Sequence, residues 1–424
     1  MDRDACYFSN QLQHLEWTAP ERLALASLLH GGPTPSLQRY KLLEIGCGTG
    51  TNLIPLAYYR PQADFIGVDQ DSTQTNIATA RSIALQQSNL SFESMDLTEL
   101  GSRLETTFDF ILIREVASRM DSESLIQLLD NCHRLLKADG LLYLNYDSKP
   151  GWNIRGMVRE YLIAHTANTD SSQDKALQAR IAAGKMVRSL SGSNQPYRQL
   201  LNQEFKLVAD LDSEDILHHY LMPHHQAYWR SELLHLAEQT GHHYVADADY
   251  TTPSHRSNLS LRKQIESQDL AGTSLADTQD LLSNRYNHAP IFSKQVVQIP
   301  QAAPELLMQL DIASCLHPAG PHRPDCYQHP EGFQLQAQTP AMAALFDNLL
   351  DIWPKASPLA SIADLDPTHL NDLATLHHNG LVELRMTGAT HCNDAPRLNP
   401  LNQMELQWYH CYTTEYHQRV KPRG

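Results

Sequence analysis

The chain has 424 residues, 42% of them hydrophobic, and a formal net charge of −15. That length accommodates two or three domains, and no apolar run approaches the about 18 residues of a membrane-spanning helix. The acidic balance disfavours general nucleic-acid binding, which wants clustered Lys and Arg, and suits plain solubility or a basic protein or peptide partner.

The N-terminal stretch MDRDACYFSNQLQHLEW is polar and acidic, without an apolar signal core, and the seven cysteines are scattered. Both features predict a cytoplasmic protein with reduced thiols. Thr18 and Glu21 are spaced as a capping box at the start of TAPERLALASLLH, with Pro20 in the first turn. Leu23, Ala24, Leu28 and Leu29 lie along one face of that helix, and GGPTP ends it.

Strands and helices then alternate. YKLLEIG reads as a buried strand followed by the helix NLIPLAYYR. DFIGVDQ is a second strand, and STQTNIATARSIALQQ a second helix with Ser72 at its N-cap. LSFESMD and FDFILIREV are the third and fourth strands, SESLIQLLDNCHRLLK is a helix, and GLLYLNYD is the fifth strand. Apolar strands alternating with helices predict an α/β fold with a Rossmann-like parallel sheet covered on both faces. Ligands of such sheets sit at the carboxyl ends of the strands.

The first strand runs into Gly46, Gly48 and Gly50, preceded by Glu44. A dinucleotide fingerprint would read G-x-G-x-x-G and a P-loop would end in G-K-[ST]; this loop is neither. Glu44–Gly50, EIGCGTG, resembles motif I of class I S-adenosylmethionine-dependent methyltransferases. The resemblance implies S-adenosyl-L-methionine as cofactor, bound where a missing Cβ lets the backbone approach the ligand. Asp69 ends the second strand, 19 residues after Gly50, where a carboxylate can accept both ribose hydroxyls. Asp96 ends the third strand, where this superfamily often meets the adenine amino group. Arg114 joins the cofactor side, with a surface ion pair to Glu115 as the plain alternative. Cys47 reads as a small packing residue.

Beyond the fifth strand, LNYDSKPGWNIRGMVREYLIAHT resembles a bacterial methyltransferase family that carries a methyltransferase regulatory domain and includes rickettsial protein-lysine methyltransferases. Tyr146, Pro150-Gly151-Trp152, Arg155-Gly156-Met157 and His165 carry that likeness. So do WTAPERLALASLL and the segment EDILHHYLMPHHQAYWRSELLHLAEQTGHHYVADADY. The resemblance implies a protein lysine as methyl acceptor. Ala117 and Arg119 stand where the family often has aromatic residues, and Asp147 where it has Asn. These departures keep open an N- or O-methyltransferase of a small molecule or biosynthetic peptide. A cofactor-sensing protein without catalysis is a third reading.

Methyl transfer needs a nucleophile about 3–3.5 Å from the methyl carbon and a dry site. A lysine amine must also be neutral, which desolvation between aromatic rings favours. Tyr146 and Trp152, from the fifth strand and its exit loop, are the candidate wall, and Asp147 or Glu115 the candidate group that orients the amine or takes its proton.

Three domains are expected: a methyltransferase domain over 1–166, a mostly helical regulatory domain over 167–290, and a winged-helix-like domain over 291–424. In the last, helices end at Pro354 and Gly380 and a strand starts at Leu381. Its helix PTHLNDLATLHHNG lacks Lys and Arg, so it reads as a protein-contact module rather than a DNA reader. No metal is expected: His218, His219, His224, His225, His242 and His243 follow no familiar ligand spacing. Neither do Cys315, His317, His322, Cys326 and His329. A homodimer is left open.

Overall fold

The computed structural model describes residues 15–249, 274–298, 302–320, 325–330, 332–353, 355–362, 365–386 and 399–409, with residue 323 and the short strands at 412–413 and 419–420. The N-terminal segment before Leu15, His322 and Pro354 lie outside the described residues.

Helix α1 (Pro20–Leu29) precedes the alternation β1 (Lys41–Ile45), α2 (Leu53–Tyr59), β2 (Asp64–Asp69), α3 (Ser72–Ala84), β3 (Leu90–Ser94), β4 (Phe108–Ile113), α4 (Ser122–Leu135) and β5 (Leu136–Leu144). Four helices follow: α5 (Lys149–Thr166), α6 (Ser172–Leu190), α7 (Pro196–Asp210) and α8 (Ser213–His219). Then come α9 (Arg230–Gln239), β6 (His243–Asp247) and β7 (Pro290–Ser293).

The seven strands form one sheet in the order β3-β2-β1-β4-β5-β7-β6. The first five are mutually parallel, and β7 runs antiparallel to both β5 and β6. The strand order reverses between β1 and β4, which opens a crevice above their carboxyl ends. All six residues of β4 are buried. Phe110 and Leu112 pack with α1 and α2, while Ile111 and Ile113 pack with α4 and α9. That two-sided burial explains why the strand reads as continuous apolar sequence instead of alternating.

Several expectations change. Thr18 does not form a capping box with Glu21: Ala19 is the N-cap of α1. Thr18 Oγ1 instead donates to Asn52 Oδ1 at 2.7 Å, and Glu21 pairs with Arg60 at 2.7 Å. Asp71, not Ser72, caps α3, accepting from Thr73 N, because a carboxylate placed before the first turn captures its unpaired N–H. Trp152 lies in the first turn of α5 rather than in a loop. Residues 243–247, which belong to the regulatory domain in the sequence reading, form the edge strand β6. The sheet therefore draws two strands from beyond residue 166, and α5–α8 are inserted between its fifth strand and its edge.

That insertion has its own core, in which Val158, Leu162, Ala176, Ala179, Phe205, Val208, Ile216 and Tyr220 are buried together. Toward the C-terminus, helix Pro340–Ile352, strand Ser357–Pro358, helix Pro367–His378 and strand Glu383–Met386 follow in turn. Their strands pair on either side of Leu310–Ala313. Leu310, Ile312 and Phe346 of this unit share a core with α1 and α2. No helix among the described residues is long and apolar enough to cross a membrane.

Candidate active site

The glycine loop leaves β1 at the switch point. Gly46 and Gly48 have φ of +79° and +51°, a region that disfavours side chains. A Cβ at Gly46 would also lie 2.3 Å from Val116 Cγ2, so this glycine lets the β4 exit loop close on the β1 loop. A Cβ at Gly48 would meet no atom within 4 Å; it points into open space. Cys47 is buried and its thiol is pushed up by burial, which keeps it protonated, as a packing residue should be.

Asp69 accepts from Gly48 N through Oδ2 at 2.9 Å and from Asp71 N through Oδ1 at 3.0 Å. Each carboxylate oxygen retains a further lone pair for a ribose hydroxyl. Met95 N donates to Asp69 O, which brings the exposed Asp96 beside it. Thr98, through both its N–H and its hydroxyl, binds Asp96 Oδ1, and these bonds hold that carboxyl below its ordinary range.

Glu44 is fully buried beneath the loop. Its Oε1 accepts from Asn52 Nδ2 at 3.0 Å and lies 3.8 Å from Arg114 Nε, while its Oε2 is buried without a protein partner. Burial pushes this carboxyl up to about 7, with the Arg114 guanidinium and Asn52 opposing. An orphaned buried carboxylate oxygen, bare loop backbone and a ribose-ready aspartate fit the aminoacyl and ribosyl ends of S-adenosylmethionine.

Glu44 also has a consequence for stability. Its folded value lies above the ordinary 4.5, so its contribution is fully present below that value and is lost as pH rises through about 7. Thermal unfolding of Glu44→Gln in the cofactor-free state should therefore vary less between pH 5 and 8 than that of the parent protein. Parallel melting profiles would contradict this assignment.

Next to the loop lies a cleft of about 620 Å³, open mouth included, over the ends of β4 and β5. Arg114, Glu115, Tyr146 and Asp147 line it, so four residues singled out from sequence converge there. Trp152 is not among its lining residues. Trp17, Ser118, Arg119, Tyr143, Asn145, His219 and Asn287 complete the lining. Trp17 and Asn145 lie inside two of the stretches that carry the family likeness, but nothing in their local spacing marks either as part of a cleft. His219 belonged to a cluster weighed for metal; among the described residues no three His, Cys, Asp or Glu side chains converge as metal ligands.

Glu115 has φ of +59°, in the left-handed region for a non-glycine, and its N–H donates to Asn145 Oδ1 at 2.6 Å. Its Oε2 accepts from Arg119 Nη2 at 3.2 Å and meets His218 Nε2 at 2.8 Å. Burial alone would raise this carboxyl, but the His218 hydrogen bond and the Arg114 and Arg119 charges together hold it well below the usual carboxylate range. Asp147 Oδ2 meets His225 Nε2 at 2.9 Å. Tyr146 is buried, its ring stacked on His288 at 5.4 Å between centroids. Burial also raises the hydroxyls of Tyr143 and Tyr146, so both stay protonated. Trp152 is buried against His225, with ring centroids 4.0 Å apart.

Asp69→Ala removes a charged acceptor from the loop and from the position expected to meet the ribose. Such bonds are worth about 1.5–3 kcal/mol, so calorimetry should show cofactor affinity lower by about ten-fold or more. Unchanged affinity in a folded variant would refute the ribose assignment.

A methyltransferase domain model matches residues 43–142. Two uncharacterized proteins of Rickettsia prowazekii are similar in sequence. One is 28% identical over 55% of this chain and 42% of its own length. The other is 30% identical over 48% of this chain and 81% of its own length. The chain thus spans less than half of the first of these relatives. The structure of PKMT2 from Rickettsia typhi superposes with a TM-score of 0.77 at 20% identity, covering 97% of this chain and 85% of that one. Its complex with AdoHcy superposes with a TM-score of 0.76. These two matches establish a shared fold over nearly the whole chain.

Proposed function

Because this chain belongs to the class I S-adenosylmethionine-dependent methyltransferases, we propose that it methylates a lysine amine of a cytoplasmic protein. One observation carries this reading: Trp17, Tyr143 and Tyr146 line the same cleft as Glu115 and Asp147, beside the glycine loop. Aromatic walls exclude water and tolerate the cation that methylation leaves behind, and carboxylates attract and deprotonate an ammonium. The sequence likeness around Tyr146 and Pro150–Trp152 supports the same acceptor.

S-adenosylmethionine, when bound, supplies an electrophilic methyl group on a sulfonium. Gly46–Gly50, Glu44, Asp69 and Asp96 are the residues that would hold it. An acceptor nitrogen would have to arrive uncharged to take that methyl group, so the cleft has to remove its proton and keep water out. Glu115, held well below the usual carboxylate range, is a poor base and acts by orienting the ammonium. Asp147 takes the proton. The tyrosine hydroxyls remain protonated and serve as donors and walls.

The test is transfer of label from methyl-labelled cofactor into a bacterial lysate. Label recovered as methyl-lysine after protein hydrolysis supports the reading. Label confined to small molecules or to base-labile esters would overturn it in favour of a small-molecule or O-linked acceptor.

A further inference from the structure

The helical insertion does more than pack beside the sheet: it returns across the cleft. Segment 225–229 runs alongside 147–149, with Tyr228 N donating to Asp147 O at 3.0 Å and Lys149 N to Tyr228 O at 2.9 Å. Gln226 N donates to Ser118 O at 2.8 Å, and Ser118 Oγ accepts from Asp147 N at 2.9 Å. One short segment is thereby fastened to the exits of both β4 and β5. It carries His225, whose Nε2 lies 2.9 Å from Asp147 Oδ2.

A carboxylate only accepts, so that contact needs a hydrogen on Nε2. The imidazole is held behind Asp147 by Trp152, whose ring lies 4.0 Å away at 34°. The pair is partly shielded, at 12% exposure for His225 and 23% for Asp147. A second histidine of the insertion, His218, brings its Nε2 to 2.8 Å from Glu115 Oε2, although that nitrogen also meets Arg119 Nη2. Both carboxylates of the cleft are thus backed by a histidine from the insertion.

We propose that His225 is a positioning residue for methyl transfer. Its Nε2–H holds one oxygen of Asp147 and leaves the other for the acceptor's ammonium, with Trp152 bracing the imidazole from behind. The inference rests on the reading that the cleft receives an amine. Its chemistry is a single proton transfer, from the ammonium nitrogen to the free oxygen of Asp147, which would leave the amine neutral and able to accept a methyl group. His225 neither gains nor loses a proton in that step.

Four variants test it: His225→Phe, His225→Gln, Asp147→Asn, and the double variant Asp147→Asn with His225→Phe. Phenylalanine keeps a ring for Trp152 and removes the donor, whereas glutamine keeps a donor. With melting temperature and cofactor affinity as controls, kcat should fall by about ten-fold or more in His225→Phe and recover to within about three-fold of the parent in His225→Gln. In the Asp147→Asn background, His225→Phe should have almost no further effect, because the two residues act as one unit. Full activity in folded His225→Phe, equal losses in the Phe and Gln variants, or additive losses with Asp147→Asn would each overturn the proposal.

A second measurement needs no acceptor and so separates this inference from the lysine reading. Imidazole nitrogen shifts of the cofactor-loaded protein should show His225 protonated at Nε2, with the signal altered in Asp147→Asn. An imidazole with a bare Nε2 would sink the clamp even if lysine methylation were found. If the parent protein methylated no lysine, a correctly protonated and Asp147-dependent His225 would still support the clamp.

Discussion

Gly46→Ala is expected to abolish useful cofactor binding. The new Cβ would sit 2.3 Å from Val116 Cγ2 and 3.3 Å from Arg114 O, at a φ of +79°. A left-handed backbone costs an L-residue about 1–2 kcal/mol, and overpacking a tight site costs about 1–3 kcal/mol more. Neither neighbour can yield without moving the Arg114–Val116 loop, which also carries Glu115. The loss of about 2–5 kcal/mol corresponds to a cofactor affinity lower by about 30-fold or more. Gly48→Ala is the informative control. Its Cβ would meet no protein atom, yet it would enter the space assigned to the ligand. It should melt close to the parent temperature and still bind the cofactor more weakly. Near-normal binding and melting in Gly46→Ala would show that the β1 and β4 loops are not packed as described.

Tyr146→Ala and Trp152→Ala should fail in different ways. Tyr146 lines the cleft and stacks on His288, which is itself held at 2.7 Å by Asp280. Removing its ring opens the wall of the cleft proposed to receive the acceptor, and misplacements of about 1 Å can cost about 100-fold in rate. We expect kcat to fall by about that factor, with cofactor affinity within about three-fold of the parent. Trp152 is as deeply buried but stands behind His225, with the Arg155 guanidinium 5.5 Å from its ring. Its loss should first appear as instability, since truncating a buried Trp costs about 3–5 kcal/mol. Steady-state kinetics beside thermal melts distinguish the two. If folded Tyr146→Ala turned over normally, its ring would be only a support for the loop, leaving Glu115 and Asp147 as the working residues.

Much of the cofactor half is legible in the sequence because its signals are local. Buried parallel strands read as apolar runs, and helices declare themselves by period. A loop that must approach a ligand closely needs glycine, so Gly46–Gly50, Asp69 and Asp96 stand in register with strand ends. Caps were less legible. Asp71 and Ser72 are both good N-cap residues, and only the backbone turn at Asp71 selects between them. Thr18 looked like a cap, but a buried partner, Asn52, claims its hydroxyl.

The acceptor half depends on contacts between residues far apart in the chain. Trp152 and Tyr146 looked equivalent because both are aromatic and stand six residues apart near the end of the last parallel strand. The start of α5 turns Trp152 away from the cleft, and the returning segment places His225 between it and Asp147. Trp17, His219 and Asn287 reach the same cleft from three separate regions. Edge strand β6 was hidden for a related reason. HYVAD is short, and pairing with β7, whose Pro290 lies opposite Asp247, 43 positions earlier in the chain, makes it part of the sheet. By itself, then, the sequence determined the α/β fold, the sheet as far as β5 and the glycine loop at the end of its first strand, because periodicity and glycine geometry act over a few residues. Tertiary structure alone decided where the insertion returns and which groups line the cleft, because those depend on burial and hydrogen bonds between segments that meet only when the chain is folded.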